Sequence, residues 1–229
     1  DGHVRLGIAN QLRRADAGFA AIAAVPELKS KPFVIGESDP DGCGAWQAPN
    51  LGYRNTSMFS SYQAAVFARK YVLADRRGVN LDGALTWSFG FEDQPFFAGQ
   101  RTMSTEGIDL PVINVYRMFS KMGGVRVATK SSGEIELDAM MRDGVRGAPD
   151  VAALASLESR RLSVLVWHYH DDDVPGPDAA VELALANLPA GVTAAKISHY
   201  RIDATHSNAF TVWKSFGSPT SPTPAPSSR

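Results

Sequence analysis

The spacing of apolar and polar positions divides the chain into three textures. From residue 1 to about 123, helical spacing alternates with short apolar runs. Ile8 to Ala24 is alanine-rich, with apolar positions that suit a helix ended by Pro26. Pro32-Phe33-Val34-Ile35-Gly36-Glu37 is a nearly continuous apolar run, the pattern of a strand buried on both faces. A glycine-rich polar loop from Ser38 to about Thr56 leads to Ser60 or Ser61, either able to cap a helix running through Tyr62, Val66, Arg69 and Leu73 to Gly78. Leu81 to Phe89 predicts a second strand. Pro111 suits a first helical turn, and Val112, Val115, Tyr116, Phe119 and Met122 continue at helical spacing to Gly123-Gly124. Helix, strand, helix, strand, helix implies βα units around a parallel sheet.

The period changes at about residue 124. Val125–Thr129, Ile135–Met140, Arg161–His168, Lys196–Ile202 and Ala209–Trp213 read as strands between Gly, Pro and Asp clusters. In one of them Leu162, Val164, Val166 and His168 share a face, while Ser163, Leu165, Trp167 and Tyr169 share the other. The expectation for 124–217 is an antiparallel β-sandwich packed beside the first region. Residues 218–229 are Pro, Ser and Thr almost throughout and predict a disordered or extended tail.

Composition narrows the function classes. Hydrophobic residues make up 44% of 229, enough for a sizeable core and against global disorder. Twenty-three Lys and Arg against 24 Asp and Glu leave no basic field for nucleic acid and no polybasic membrane anchor. No run approaches the roughly 20 apolar residues of a membrane span. The single Cys43 forms no intrachain disulfide and fits a reducing or an oxidising compartment equally. The opening Asp1-Gly2-His3, without an initiator Met or a signal segment, predicts a processed or partial chain.

Candidate chemistry concentrates at the ends of the two parallel-type strands. Glu37 follows Phe33 and Ile35 at the carboxyl end of its strand, where α/β barrels carry catalytic groups. The plain alternative is a solvated strand end or a pair with an arginine. The second strand ends in Trp87-Ser88-Phe89-Gly90-Phe91-Glu92-Asp93-Gln94-Pro95. Aromatic faces beside acceptor carboxylates suit the C–H faces and hydroxyl rims of sugars, though a packed tryptophan and an acidic turn would look the same. His168-x-His170 followed by Asp171-Asp172-Asp173 has the residue types of a divalent-ion site, against the simpler reading of a strand entering a solvated acidic turn. Asp39-Pro40-Asp41-Gly42 shares part of a calcium-loop pattern but lacks the later ligands, and Cys43 has no Cys or His neighbour. Ser38 and Ser88 lack a nucleophile-elbow motif.

These segments, taken in order, resemble glycoside hydrolase family 39, in particular its bacterial β-xylosidases. The resemblance rests on Lys31 to Cys43, Tyr53-Arg54-Asn55, Ser60 to Lys70, Leu85 to Phe89, Phe91 to Pro95 and Gly107-Ile108-Asp109. It continues through Leu165 to His170 and Tyr200-Arg201-Ile202-Asp203. It implies the last βα units of a (β/α)8 barrel over 1–123, then the sandwich. Glu37 would be the nucleophile at the end of the seventh barrel strand; Trp87 and Glu92, with Asp93 beside them, would line the subsite for the non-reducing sugar. The implied reaction is retaining hydrolysis of xylo-oligosaccharides, without a cofactor or metal. It uses a partner acid roughly 5–5.5 Å from the nucleophile. That partner, a glutamate after an asparagine, is missing: among Glu27, Glu37, Glu92, Glu106, Glu134, Glu136, Glu158 and Glu182, none follows an asparagine. A full barrel takes about 250 residues, so the expectation is a fragment inactive by itself. The rival, from another class, is a non-catalytic carbohydrate-binding or bracing module, in which Glu37 is exposed and its proposed neighbours are scattered.

Overall fold

The structure is a computed structural model and describes residues 4–188 and 190–220; most of the expected tail, 221–229, lies outside them. Helix α1 (Ile8–Ala23) stops short of Pro26, which opens the one-turn helix α2 (Pro26–Lys29). Strand β1 (Phe33–Ile35), helix α3 (Ser57–Arg77), strand β2 (Leu81–Ala84) and helix α4 (Pro111–Phe119) complete the βα-type part. A 3-10 helix (Pro49–Asn55) enters α3, and a small antiparallel ribbon of β3 (Ser104–Thr105) and β4 (Ile108–Asp109) precedes α4. Strands β1 and β2 pair in parallel, with a register irregularity after Phe33. A parallel pair needs a crossover, and α3 supplies it.

The strand β1 is less covered than its apolar run suggests. Val34 is 49% exposed, and Leu85, just past β2, is 58% exposed. Among the described residues the sheet has only the strands β1 and β2, so neither is flanked on both edges as in a buried parallel sheet. The cap of α3 also lies earlier than expected. Thr56 Oγ1 accepts from Met58 N at 3.2 Å, so the helix begins at Ser57, and Ser61 instead bonds back to the carbonyl of Met58. Gly78, at φ 63°, closes the helix in the left-handed conformation that glycine adopts without strain. Helix α4 ends at Ser120, before the glycine pair. Gly124 has a different duty: a Cβ there would lie 2.2 Å from the Leu157 carbonyl oxygen, so only glycine lets this segment approach the next sheet.

That sheet has the order β5-β6-β7, all antiparallel, from β5 (Val125–Val127), β6 (Asp150–Glu158) and β7 (Arg161–Tyr169). In β7 the expected alternation is observed: Leu165, Trp167 and Tyr169 are buried against α3, whereas Leu162, Val166 and His168 face outward. Strand β6 escaped the sequence reading because its alanines carry little strand propensity.

Three expected strands are not strands. Ile135–Met140 alternates apolar and polar residues, yet Leu137–Asp143 forms helix α5, burying Leu137 and Met140 at i, i+3 beside α1. Lys196–Ile202 pairs with no strand among the described residues and leaves Ile197 87% exposed. Ala209–Trp213 lies in helix α6 (Ala209–Ser215), capped by Asn208, whose Oδ1 accepts from Thr211 N at 3.2 Å. Phe210 and Trp213 there stack at 5.8 Å and reach Phe97 at 5.4 and 4.9 Å, so the i, i+3 pair is satisfied by a helix. Residues 174–188 and 190–208 carry no regular element.

Helix α3 sits between α1, α4 and the β6–β7 sheet, and two buried carboxylates tie these layers. Asp150 accepts from Arg69 at 2.8 Å, Trp167 Nε1 at 2.7 Å and Ile135 N at 2.8 Å. Asp171 is not part of a solvated turn: it is fully buried, accepting from Tyr169 Oη at 2.6 Å and Val145 N at 2.9 Å. Its neighbours hold the N-terminal segment, through Arg5 on Asp172 and Val4 N on Asp173. Among the described residues no helix is long and apolar enough to cross a membrane.

Candidate active site

The parallel register puts the carboxyl ends of β1 and β2 side by side, so the loops after Ile35 and after Ala84 rise from one rim. Leu85 N donates to Ile35 O at 2.9 Å and continues the pairing one step. Beyond it Asp39 turns back across the gap, accepting from Trp87 N at 2.9 Å and from the Thr86 hydroxyl. The two loops are therefore stitched by a side chain where backbone pairing stops.

Arg101 occupies the centre of this rim and is almost wholly buried. One guanidinium nitrogen pairs with Asp39 and stands 3.4 Å from Glu37 Oε1. The other donates to Asp41 O at 2.7 Å and lies 3.4 Å from Asp41 Oδ1. The same cation sits 5.4 Å from the Trp87 ring centroid. Burial raises the Asp39 carboxyl above its ordinary value, with Thr86, Trp87 N and the Arg101 charge pulling the other way. Burial also works against ionised Asp41, but Tyr53, the Cys43 amide and Arg54 outweigh it, and that carboxyl is lowered. Arg54 itself is fully buried and binds Asp41 at 2.6 Å and the Trp46 and Gly99 carbonyls at 2.9 and 3.1 Å.

Trp87 is held from below by the absence of a side chain. A Cβ on Gly44 would lie 2.0 Å from the indole, and the Phe89 ring packs on Trp87 with centroids 4.4 Å apart. Gly44 O in turn accepts from Arg101 N at 2.9 Å. Under the rim, Ser38 and Lys70 are buried and hydrogen-bonded to each other; burial pushes the Lys70 ammonium down to about 8. Ser38 has no exposed surface, which closes it to attack on a substrate.

The sequence-based site residues are thus partly gathered. Glu37 and Trp87 share the rim and are linked through Arg101, with the Glu37 side chain 53% exposed. Glu92 and Asp93 lie in an exposed turn, and among the described residues neither side chain has a hydrogen bond or ion pair. Gln94 ties that turn: it donates to Glu92 O at 3.2 Å and accepts from Gln47 and Gln100 at 3.2 and 2.8 Å. Asp93 adopts φ 54°, a conformation that aspartate tolerates better than most residues. Arg101 was not singled out from sequence; Asp39 and Asp41 were weighed only as part of a calcium loop, and they bind Arg101 instead. Tyr53-Arg54-Asn55 carried one faint signal, but nothing local marks Arg101, 64 positions from Glu37.

The alternative ion sites do not assemble. His168 is exposed on the outer face of β7, and His170 Nδ1 accepts from Asp172 N at 3.1 Å. Among the described residues no three His, Cys, Asp or Glu side chains converge as metal ligands. Cys43 is exposed, its amide bound to Asp41 at 2.7 Å. Comparison of the chain with protein-family models, with curated proteins and with solved structures gives no match.

Proposed function

We propose that the rim of β1 and β2 is part of a retaining glycosidase site of β-xylosidase type, with Glu37 as nucleophile and Trp87 as the wall for a pentose ring. The chain is then the last βα units of a (β/α)8 barrel with an appended β-domain. The observation that carries the reading is the Glu37–Arg101–Trp87 constellation: an accessible carboxylate and an indole at one carboxyl-terminal rim, joined by a buried guanidinium. Nucleophilic attack on C1 needs a carboxylate oxygen open to the substrate, and the Glu37 side chain is half exposed at the rim. Glu37 would form a glycosyl ester as the leaving oxygen takes a proton from a second carboxylic acid, and water would then cleave the ester. That acid is not supplied by an Asn-Glu pair in this sequence, so the chain by itself is expected to bind the sugar without turning it over. Glu92 and Asp93 would reach the sugar hydroxyls only after their exposed turn moves inward.

The test has two readings. Xylose added to the chain should shift the indole N–H resonance of Trp87, and Trp87→Ala should abolish binding; no response at Trp87 sinks the proposal. In a longer protein carrying an acid/base, a 2-fluoroxyloside should label Glu37, and a label elsewhere removes its role. The exposure of Glu37 and the isolation of Glu92 favour one second reading, a non-catalytic sugar-binding module. Sugar binding at Trp87 without any label at Glu37 in the longer protein would select it.

A further inference from the structure

We infer that a second, separate site on this chain binds a small phosphate or phosphomonoester, in the cleft between α4 and the segment 199–207. This does not rest on the glycosidase reading. The cleft has a volume of about 820 Å³, within the range of small-molecule sites. Arg117 and Lys121 line one wall, Arg201 and His206 the other, and Asn114 and Tyr200 complete it, together with the hydroxyls of Ser120, Thr205 and Ser207. Among the described residues no carboxylate is in the lining itself. Asp109 pairs with Arg117 from outside it, and Asp203 lies directly behind the second wall, in contact with Arg201, Thr205 and His206.

The balance of charge decides the ligand. Arg117–Asp109 is an exposed ion pair and Arg201, itself exposed, pairs with a half-buried Asp203; pairs with an exposed guanidinium contribute little, so both guanidinia remain able to donate to a better-placed oxyanion. Lys121 has no carboxylate partner among the described residues; its ammonium stands 4.8 Å from the centroid of the Tyr200 ring, which holds it at the cleft. His206 is fixed by its Nδ1 contact with Asp203 at 3.0 Å. The negative end of α4 would oppose an anion, but its last carbonyls are occupied. Ser120 N, Lys121 N and Ser120 Oγ bond to the carbonyls of Tyr116, Met118 and Arg117 at 2.9, 3.1 and 2.9 Å. The charged groups of the lining are therefore all cationic or basic: two forked guanidinia, one point-charge ammonium and the His206 imidazole, whereas the Ser120 and Thr205 hydroxyls already donate to Arg117 O and Asp203. A tetrahedral dianion with three free oxygens uses donors from two walls better than a planar carboxylate does.

The walls are also pinned together, since Asn114 Nδ2 donates to Ser207 O at 3.3 Å, and Asn208 Nδ2, donating to Asp203 O at 2.9 Å, fixes the second wall within itself. The segment 199–207 has no regular structure of its own and is anchored by α6 on one side. A ligand bridging both walls would tighten that segment.

Inorganic phosphate and glycerol 2-phosphate, titrated separately into the full chain at constant ionic strength, test this by calorimetry and by amide NMR. The expected result is saturable binding of one equivalent, with shifts centred on Thr205, Ser207 and Lys121. Lys121→Gln and Arg201→Gln should each weaken it about five- to tenfold, the loss of one charge-assisted contact. Arg142→Gln, which removes an exposed arginine paired elsewhere with Asp143, should leave it unchanged. Tighter binding of the ester than of phosphate selects a phosphorylated metabolite as ligand; equal binding selects free phosphate. Non-saturating shifts, or equal loss in Arg142→Gln and Lys121→Gln, overturn the proposal. Both tested residues are exposed, and unchanged melting curves confirm that each variant is folded.

Discussion

The carboxylates of this chain do two kinds of work, and the contrast between the sheet interior and the β1–β2 rim separates them. Asp150 and Asp171 are fully buried, and each takes donors from three or more groups on different elements. Glu37 is half exposed, with one contact at 3.4 Å, and Glu92 and Asp93 have none among the described residues. A carboxylate whose lone pairs are spent on the fold cannot also serve a substrate. One that stays open contributes little to stability. Asp39 and Asp41 stand between, buried enough to be structural yet sharing Arg101 with Glu37.

The comparison breaks first at Asp150. Asp150→Ala would leave buried Arg69 with half-buried Glu134 as its one remaining carboxylate among the described residues, and the Trp167 and Ile135 donors unpaired. Removal of one partner from a buried ion pair destabilises by about 3–5 kcal/mol. Urea unfolding at neutral pH should show a loss of that size. A loss under about 1 kcal/mol would mean that the clamp is not closed in solution.

The next effect comes from pH and from the layer beneath the rim. Lys70 falls from 10.5 to about 8 because it is buried. Between those values the unfolded chain binds a proton that the folded chain does not, so stability rises with pH. Below about pH 8 both states are protonated and the contribution is flat. A gap of this size is worth on the order of 3 kcal/mol. Burial also raises the pKa of Tyr116 well above its ordinary value, so above pH 10 the unfolded chain loses tyrosine protons first and stability falls. Denaturation should therefore show a rise from pH 8 to about 9.5 that Lys70→Met abolishes. A profile unchanged by the substitution would place Lys70 in water.

How much of this was legible in the sequence follows from the same contrast. Helical spacing marked α1, α3 and α4, and the apolar runs marked β1 and β2, because each repeats a period over its own length. The faces of β7 were readable for that reason too. The helices α5 and α6 were not: Ile135 to Met140 and Ala209 to Trp213 are short enough for period two and period 3.6 to fit the same residues, and packing against α1 and Phe97 decides between them. At the rim, the position of Glu37 and Trp87 was legible because strand ends are visible locally. Arg101 was invisible because its meaning comes from neighbours 60 to 64 positions away. Likewise Asp171-Asp172-Asp173 looked like a solvated run, since nothing in three consecutive aspartates says which one folds inward.

Gly44 sharpens the comparison from the rim side. Its missing side chain is the space in which Trp87 rests, so Gly44→Ala forces the indole to move or the loop to shift. Overpacking of this kind costs about 1–3 kcal/mol. The fluorescence of the chain should change with the loss of stability, and the indole resonance of Trp87 should move. If stability falls while that resonance stays still, the loop rather than the ring has yielded.

The smallest stability effect belongs to the residue on which the proposed function turns. Glu37→Gln keeps the shape of an exposed side chain and removes one long contact to Arg101, which remains paired with Asp39. Surface substitutions of this kind stay within about 0.5 kcal/mol. The melting curve should therefore overlay that of the unsubstituted chain, while covalent capture of a 2-fluoroxyloside in a longer protein is lost completely. That dissociation is what an open carboxylate requires and what a structural one forbids. Were Glu37→Gln to destabilise the fold by several kcal/mol, as Asp150→Ala is expected to do, Glu37 would belong with the buried clamps, and the rim would be a joint in the fold rather than a site.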